Sequence, residues 1–524
     1  MPHMLAATSV ALLLLAFGEG PARARKSHDG DQQSIHEVVD VLNFEGVDAC
    51  SLDTIAYATL GMVTSMKECV KKAIRWRNES SPASRCRAAC WSNHQSRTTL
   101  ADSAQSQCLC LEGKIWMPLS NSSVDSARIV WPCKDDSDCS YNGRCHDISG
   151  RCKCQPAWKG AACEELNLFP VDISRLGYRA RNRTNNYSNI STWGAPILWD
   201  EISQKWHGWA SEMTMNCGIN AWQTNSQLVH IVGESPTGPF RRKDIARPVF
   251  AHEASVVRGP GSEWVMLYSS YEFNSTELEK LTCKTCEDGS TPSISETCPF
   301  QRGYPKELAH NFKQMLSISQ SPSGPWSEPV EIPKLSKPWD WNTALTINAD
   351  GSAVALLRAG FVWYAQNYSD PDSWRAVGAN TGESQGPPWK EIAVEDPFIW
   401  QHDGVYHALA HAFSPFYGVH AYAKPRRNFD WDSGDPLEWT VSGVAYSNVV
   451  EFTNGQNYTF SRRERPHLVW AANTEEGVRP VALVDGVQPN GRPNAPSQDE
   501  TFTLSQPISS NSGSNEGPRI SSIN

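Results

Sequence analysis

Ser235-Pro236-Thr237-Gly238-Pro239-Phe240 and Ser321-Pro322-Ser323-Gly324-Pro325-Trp326 are near copies of one hexapeptide. Each follows a segment in which apolar and polar residues alternate, QLVHIVGE at 227–234 and KQMLSISQ at 313–320. Alternation with period two marks a half-buried strand, and the Pro-Gly turn with its aromatic residue closes the unit. Looser copies are FVWYAQNYSDPDSW, ending at Trp374, and GVHAYAKPRRNFDW, ending at Trp431. RPVALVDGV at 479–487 supplies a fifth strand of this kind.

A second recurring element opens each unit, an apolar strand behind a polar dipeptide. The five copies are Gly194-Ala195-Pro196-Ile197, His252-Glu253-Ala254-Ser255, Asn342-Thr343-Ala344-Leu345, Glu395-Asp396-Pro397-Phe398 and Glu464-Arg465-Pro466-His467. Counted at positions 196, 254, 344, 397 and 466, the long step holds a Cys-rich insertion at 274–305. Five units with a common opening and closing predict an all-β chain whose main body, 166–489, is a five-bladed β-propeller. A two-sheet sandwich would need no such recurrence.

The residues before this body divide by their cysteines. Of 16 Cys in 524 residues, twelve precede residue 164, in two sets of six. An even count fits an oxidising compartment. The apolar run at 5–17 is too short to span a bilayer and is followed by Ala22-Arg23-Ala24, so 1–24 reads as a signal peptide. Its first residues, Met1-Pro2-His3-Met4, lack Lys and Arg. No second apolar stretch has membrane length, so no transmembrane segment is expected. Eight Asn-x-Ser/Thr triplets, at Asn78, Asn121, Asn182, Asn186, Asn189, Asn274, Asn367 and Asn457, fit a secreted, extracellular glycoprotein. The balance of 47 basic against 57 acidic residues, −10, gives no global basic field, hence no nucleic-acid partner. The Ser-, Asn-, Pro- and Gly-rich tail at 490–524 is expected to be disordered.

The first set, Cys50, Cys69, Cys86, Cys90, Cys108 and Cys110, lies in a Cys-rich module at 40–131. Between Ser65 and Trp76 the pattern is helical, and Cys86-x3-Cys90 would put two thiols on one helical face. The second set, Cys133-x5-Cys139-x5-Cys145-x6-Cys152-x-Cys154-x8-Cys163, lies in a module at 132–164. So short a module cannot bury an adequate core, and disulfides must hold it together. Spacing alone leaves about fifteen connectivities open. Zinc binding is the weaker reading, because thiols are poorly kept in an oxidising compartment. Cys217, Cys283, Cys286 and Cys298 most economically make two further disulfides, with a Cys283-x2-Cys286 redox pair as the alternative.

The second set, with Trp158 and Gly160 before its last Cys, resembles an EGF-like module. The resemblance implies the pairings Cys133–Cys145, Cys139–Cys152 and Cys154–Cys163. The stretch before Cys133, Arg128-Ile129-Val130-Trp131-Pro132, lacks the acidic and amide residues of the calcium-binding subtype, so no calcium is expected. The first set is similar to a PAN/apple-type module, a Cys-tethered helix on a small sheet, with an unrelated disulfide knot as the alternative. VEDPFIW at 394–400, GVYHALAH at 404–411, ERPHLVW at 464–470 and the Ser-Pro-x-Gly-Pro-aromatic closures resemble the five-bladed glycoside hydrolase superfamily of arabinanases, xylosidases, levansucrases and invertases, family 43 in particular.

In a propeller the innermost strand of each blade runs along the axis, so residues that open these strands converge at one mouth. Here they include Glu253, Glu395, Asp396 and Glu464, with Asp340 just before the third strand. Converging carboxylates suit glycosidic-bond cleavage, in which one delivers a proton and another takes one from water. Like-charge proximity raises one pKa and supplies the acid. The resemblance implies that Glu464 is the general acid and that Asp396 modulates its pKa and orients the sugar. The general base departs from the family pattern. Thr343 stands in register, Asp340 three residues early and Ala195 in the first blade, leaving Asp340 or Glu253 as catalytic candidates. Strand capping or pairing with Arg462, Arg463 and Arg465 is the alternative role for these acids.

His407, Leu409 and His411 share one strand face, with His420 on the next strand. His411 is a candidate sugar ligand, and a histidine satisfied between strands is the alternative. Trp339 and Trp341, beside Asp340, are candidate stacking platforms for a sugar. Trp326, Trp374 and Trp431 recur at blade closures and read as packing between blades. No cofactor and no metal is expected. Two functions compete: an extracellular enzyme hydrolysing glycosidic bonds by inversion, and a non-catalytic glycan-binding or adhesion protein. Carbohydrate is the expected partner in both. A growth-factor-like role for the EGF-like module is weaker, because a single such module is a common spacer.

Overall fold

The computed structural model describes residues 133–509, without 147, 181–189, 215–217, 220–221, 271–311, 337–341, 378–393, 413–416, 426–430, 432–436, 473–478 and 490–499. Before residue 131 it describes five strands. The chain forms two compact units, 1–153 and 154–524.

In the first unit, one antiparallel sheet takes the order Asp40–Phe44, Ser126–Val130, Cys86–Ser92, Ser106–Glu112, Ala56–Val63. Cys86–Ser92 is therefore a strand and corrects the helical placement of Cys86 and Cys90. It is bonded on both sides, and seven residues that find two ladders gain more than an isolated helix nucleus could offer. The helix expected between Ser65 and Trp76 lies outside the described residues, as do Cys50 and Cys69. The EGF-like segment carries disulfides Cys133–Cys145, Cys139–Cys152 and Cys154–Cys163. Its short strands Gly143–His146 and Arg151–Cys154 pair with each other.

Among the described residues of the second unit, five antiparallel sheets of three or more strands follow one another in sequence order, the five blades. Blade 1 holds Thr192–Trp193 and Ile197–Asp200 as its interrupted inner strand, then Lys205–Met213, Ser226–Gly233 and Arg241–Arg247. Blade 2 runs Ala251–Arg258, Trp264–Ser270, Lys313–Ser319, Val330–Glu331, and blade 3 Ala344–Ile347, Ala353–Leu356, Val362–Ala365, Trp374–Ala376. Blade 4 runs Val394–His402, Val405–Ala412, Gly418–Ala423, Thr440–Tyr446. Blade 5 has three strands of its own, Arg462–Trp470, Pro480–Gln488 and Phe502–Pro507.

The last of these corrects both the end of the propeller at 489 and the disordered tail from 490. Thr503 and Leu504 are fully buried, and Phe502 nearly so. Only six residues of weak alternation encode this strand, in a composition that otherwise favours disorder. Its outer edge is completed from the start of the unit: Tyr178 and Thr503 exchange backbone hydrogen bonds of 2.9 and 3.2 Å, and Leu168 bridges Ile508. Gly177, with φ +95°, allows that approach, since a Cβ there would lie 2.5 Å from the Thr503 carbonyl.

The cores lie between blades. One joins Val257, Leu267 and Leu316 of blade 2 to Leu345, Ala355 and Trp374 of blade 3. Another joins Ile197 and Ile231 of blade 1 to Val469 and Val484 of blade 5. The closure aromatics fill the seams with the preceding blade: Trp326 meets Trp209 edge-on with centroids 5.9 Å apart, and Trp431 stacks on Tyr364 at 4.6 Å. Trp158, at the foot of the EGF-like segment, is buried against Trp400 and His420 of blade 4. No helix among the described residues is long and apolar enough to cross a membrane.

Candidate active site

Every inner strand bends at one residue in the left-handed region: Gly194 (φ +50°), Glu253 (+53°), Asn342 (+44°), Asp396 (+50°) and Arg465 (+56°). In blades 2, 4 and 5 the ladder register shifts across this residue, and in blade 1 the strand breaks there. A bulge of this kind re-aims a side chain without ending the strand. The five positions are thus equivalent. They correct the register read from sequence, which placed Ala195 and Thr343 at this position; the bulge residue is Gly194 in blade 1 and Asn342 in blade 3. Side chains other than Gly adopt this backbone at a cost of about 1–2 kcal/mol, and such strain concentrates at functional sites.

Glu253 is buried and fully engaged. Arg465 Nη1 lies 2.7 Å from its Oε2, the Asn342 amide donates to the same oxygen, and His252 Nε2 is 3.3 Å from Oε1. Its backbone N–H donates to Ser211 Oγ at 3.0 Å. Burial would raise its pKa, but Arg465 and His252 prevail and hold the carboxyl well below the usual range. Asp396 shares Arg465 at the longer distance of 3.8 Å. Burial, then the charges of Glu253 and Glu395, push Asp396 well above the usual carboxylate range. One guanidinium thus pairs closely with Glu253 and reaches Asp396 only at the longer distance.

Glu395 and Glu464 each immediately precede a bulge, in blades 4 and 5, and both face His411. His411 is fully buried on the second strand of blade 4. Its Nε2 lies 3.9 Å from Glu395 Oε2 and 4.0 Å from Glu464 Oε2, and its Nδ1 lies 3.4 Å from Asp396 Oδ2. Burial lowers the imidazole to about 3, so it is neutral and these contacts are polar rather than ionic. Glu464 is pushed up to about 7, first by burial; Arg462, with Nε 3.8 Å from Oε1, opposes this, and Glu253 adds to it. Arg358, from the turn Arg358–Gly360 of blade 3, places Nη1 2.5 Å from Glu395 Oε1.

The structure therefore brings Glu253, Asp396, Glu464 and His411 together. Asp340, Trp339 and Trp341 lie outside the described residues. Oxygens of Asp396 and Glu464 with a nitrogen of His411 fall within 4.8 Å of one another, a donor set that would also accept a cation. Three members of the site were not singled out from sequence: Arg465, Asn342 and Arg358. The openings already align Arg465 with Asp396, and shifting the third opening by one residue would have found Asn342. Arg358 carries no such signal. His407 belongs elsewhere, within blade 4, where its Nδ1 is 3.1 Å from His420 Nε2 and its ring stacks on Trp400. Blade 1 repeats this arrangement with His207 and His230, whose Nδ1 and Nε2 are 2.8 Å apart.

A Teneurin-like EGF domain model matches residues 135–166. That match establishes an EGF-like segment. No curated protein matches the chain. Among solved structures, a family 117 glycoside hydrolase produced by the marine bacterium Zobellia galactanivorans aligns at 10% identity and TM-score 0.42, over 67% of this chain and 92% of its own. A family 43 enzyme from Xanthomonas citri aligns at 9% identity and TM-score 0.37, over 61% and 88%. Likenesses at these scores carry no argument; the five blades stand on their own hydrogen-bonded sheets.

Proposed function

We propose that the mouth of this propeller hydrolyses glycosidic bonds, with Glu464 as the proton donor. The observation that carries the reading is a buried carboxyl moved up to about 7, beside a neutral His411 and an Asp396 that burial pushes well above the usual carboxylate range. Such a group still holds its proton near neutral pH and can deliver it to a leaving glycosidic oxygen. Asp396 and His411 orient the sugar and keep the surroundings of Glu464 unfavourable to its anion. Glu253 supplies fixed negative charge, which favours an oxocarbenium-like transition state. With both oxygens engaged and its pKa held below the usual range, Glu253 is a weak base. Water activation then falls to Asp340, which the sequence places just before the third inner strand. Inversion follows if that pair spans roughly 6.5–9.5 Å. The exposed sequons Asn367 and Asn457, with the EGF-like disulfides, support an extracellular setting.

The occupied oxygens of Glu253 favour a second reading, a glycan-binding propeller without turnover. Paired substrates separate the two. Glu464→Gln should abolish cleavage of natural glycosides while sparing aryl glycosides with good leaving groups, a contrast of about 10²–10⁴-fold. Asp340→Asn should depress both alike. Saturable binding of oligosaccharides with no turnover by the wild-type chain would establish the second reading instead.

A further inference from the structure

The outer strand of blade 1, Arg241–Arg247, reads RRKDIAR, four cations and one acid within a chain of net charge −10. It is the last strand of its sheet and pairs only with Ser226–Gly233, so its other edge faces outward. Arg241, Arg242 and Lys243 are exposed, and Arg247 is half-buried. The ladder slips twice along it, between Leu228 and Val229 and between His230 and Ile231. Such bulges re-aim side chains. Arg242 turns to one flank, where its Nη2 lies 3.3 Å from Glu212 Oε1. Lys243 and Arg247 turn to the other, donating to Ser323 Oγ at 2.5 Å and to the Ser327 carbonyl at 3.0 Å. Those two partners are neutral, so they hold the cations in place without cancelling their charge. The one acid of the strand, Asp244, faces His230 at 3.4 Å.

Charge on an edge strand also keeps other strands from pairing with it. A single lysine serves that purpose, whereas three consecutive cations and a fourth on the same strand make a basic heptamer of the kind that holds anionic polymers. At about 3.3 Å per residue the cations spread over roughly 20 Å, on both flanks of one edge. That layout exceeds the reach of a single small anion and suits a linear chain of repeated charges. The EGF-like disulfides fit an oxidising, extracellular setting, where linear polyanions are sulfated polysaccharides rather than nucleic acid. We propose that this rim of blade 1 binds a sulfated polysaccharide laid along the strand. The inference is independent of cleavage at the mouth and requires nothing of Glu464 or its neighbours.

The test is equilibrium binding of the full chain to heparin, to the same polymer after desulfation, to duplex DNA and to phosphatidylserine-containing vesicles. Heparin should bind, more weakly as salt rises, and at least about tenfold more tightly than the desulfated polymer. Arg241→Gln/Lys243→Gln should lower heparin affinity about tenfold or more at unchanged melting temperature. Arg175→Gln/Arg479→Gln removes the same charge from exposed positions elsewhere and should change affinity less than about twofold. Should the first pair impair folding, Arg241→Gln alone carries the comparison, with a loss of a few fold expected. Absence of heparin binding, an equal loss in both pairs, or affinity unmoved by the blade 1 variants would overturn the proposal. So would tighter binding of DNA or of vesicles than of heparin.

Discussion

Arg465 Nη1 lies 2.7 Å from Glu253 Oε2, so blades 5 and 2, which are not neighbours in the ring, are joined across the axis. Blade 1 lies between them, and its bulge residue is Gly194. The Arg465 side chain passes over that glycine, and its Nη2 donates to the Ala254 carbonyl at 3.1 Å.

Replacing Arg465 by Met should therefore destabilise the fold by about 3–5 kcal/mol, because a buried carboxylate is left without its partner. The double variant Arg465→Met/Glu253→Gln should recover much of that loss. Glu253 titrates lower in the folded than in the unfolded chain, so it stabilises above the unfolded carboxylate pKa of about 4.3 and loses that contribution as pH falls. Chemical denaturation from pH 6 down to pH 3 should show a steeper decline for wild type than for Glu253→Gln. Parallel declines would mean the ion pair contributes nothing to acid stability.

At Gly194 an added Cβ would lie 2.6 Å from Arg465 Cδ, in a backbone already left-handed. Gly194→Ala is expected to cost about 1–2 kcal/mol from the backbone alone, with a further loss from displacing Arg465. In an Arg465→Met background the second loss should vanish. Full additivity in that double-mutant cycle would show that the arginine does not depend on the glycine.

Glu464 shifts in the opposite direction. Its folded pKa of about 7 exceeds the unfolded value, so its contribution to stability is complete at low pH and declines as pH rises towards 7. Melting temperatures across pH 4.5–7.5 should fall more for wild type than for Glu464→Gln. If the site is catalytic, kcat/KM should fall above about pH 7 as the donor loses its proton. A rate that instead rises through pH 7 would argue that Glu464 acts as a base.

Deleting everything after Val487 should prevent the propeller from folding, since it removes Phe502–Pro507 and uncovers the buried faces of Val484 and Val487. Far-ultraviolet circular dichroism and limited proteolysis would check this. A cooperatively melting product would mean that the final strand is an accessory.

Much of the fold was legible because each blade begins and ends with a recognisable phrase, and repetition at five places is hard to produce otherwise. The convergence of Glu253, Asp396 and Glu464 followed from that repetition, whereas His411 comes from the second strand of blade 4. The one-residue offset at Gly194 and Asn342 was not legible, because a left-handed bulge leaves the alternation on either side intact. Nor was Arg465 as a bridge: neighbouring arginines were weighed only as partners of Glu464, whereas the tie runs to a residue 212 positions earlier. Phe502–Pro507 escaped because its apolar signal rests on two residues, Phe502 and Leu504.

The pairing of Tyr178 with Thr503 imposes a delay on the growing chain. At ribosomal speeds of about 5–20 residues per second, the earlier partner waits some tens of seconds for the later one. During that interval the first blade has an open flank beside four sheets' worth of apolar surface. A nascent chain in this position invites capture by folding helpers, or by the same segment of another copy, so yield should depend on how quickly translation supplies the last strand.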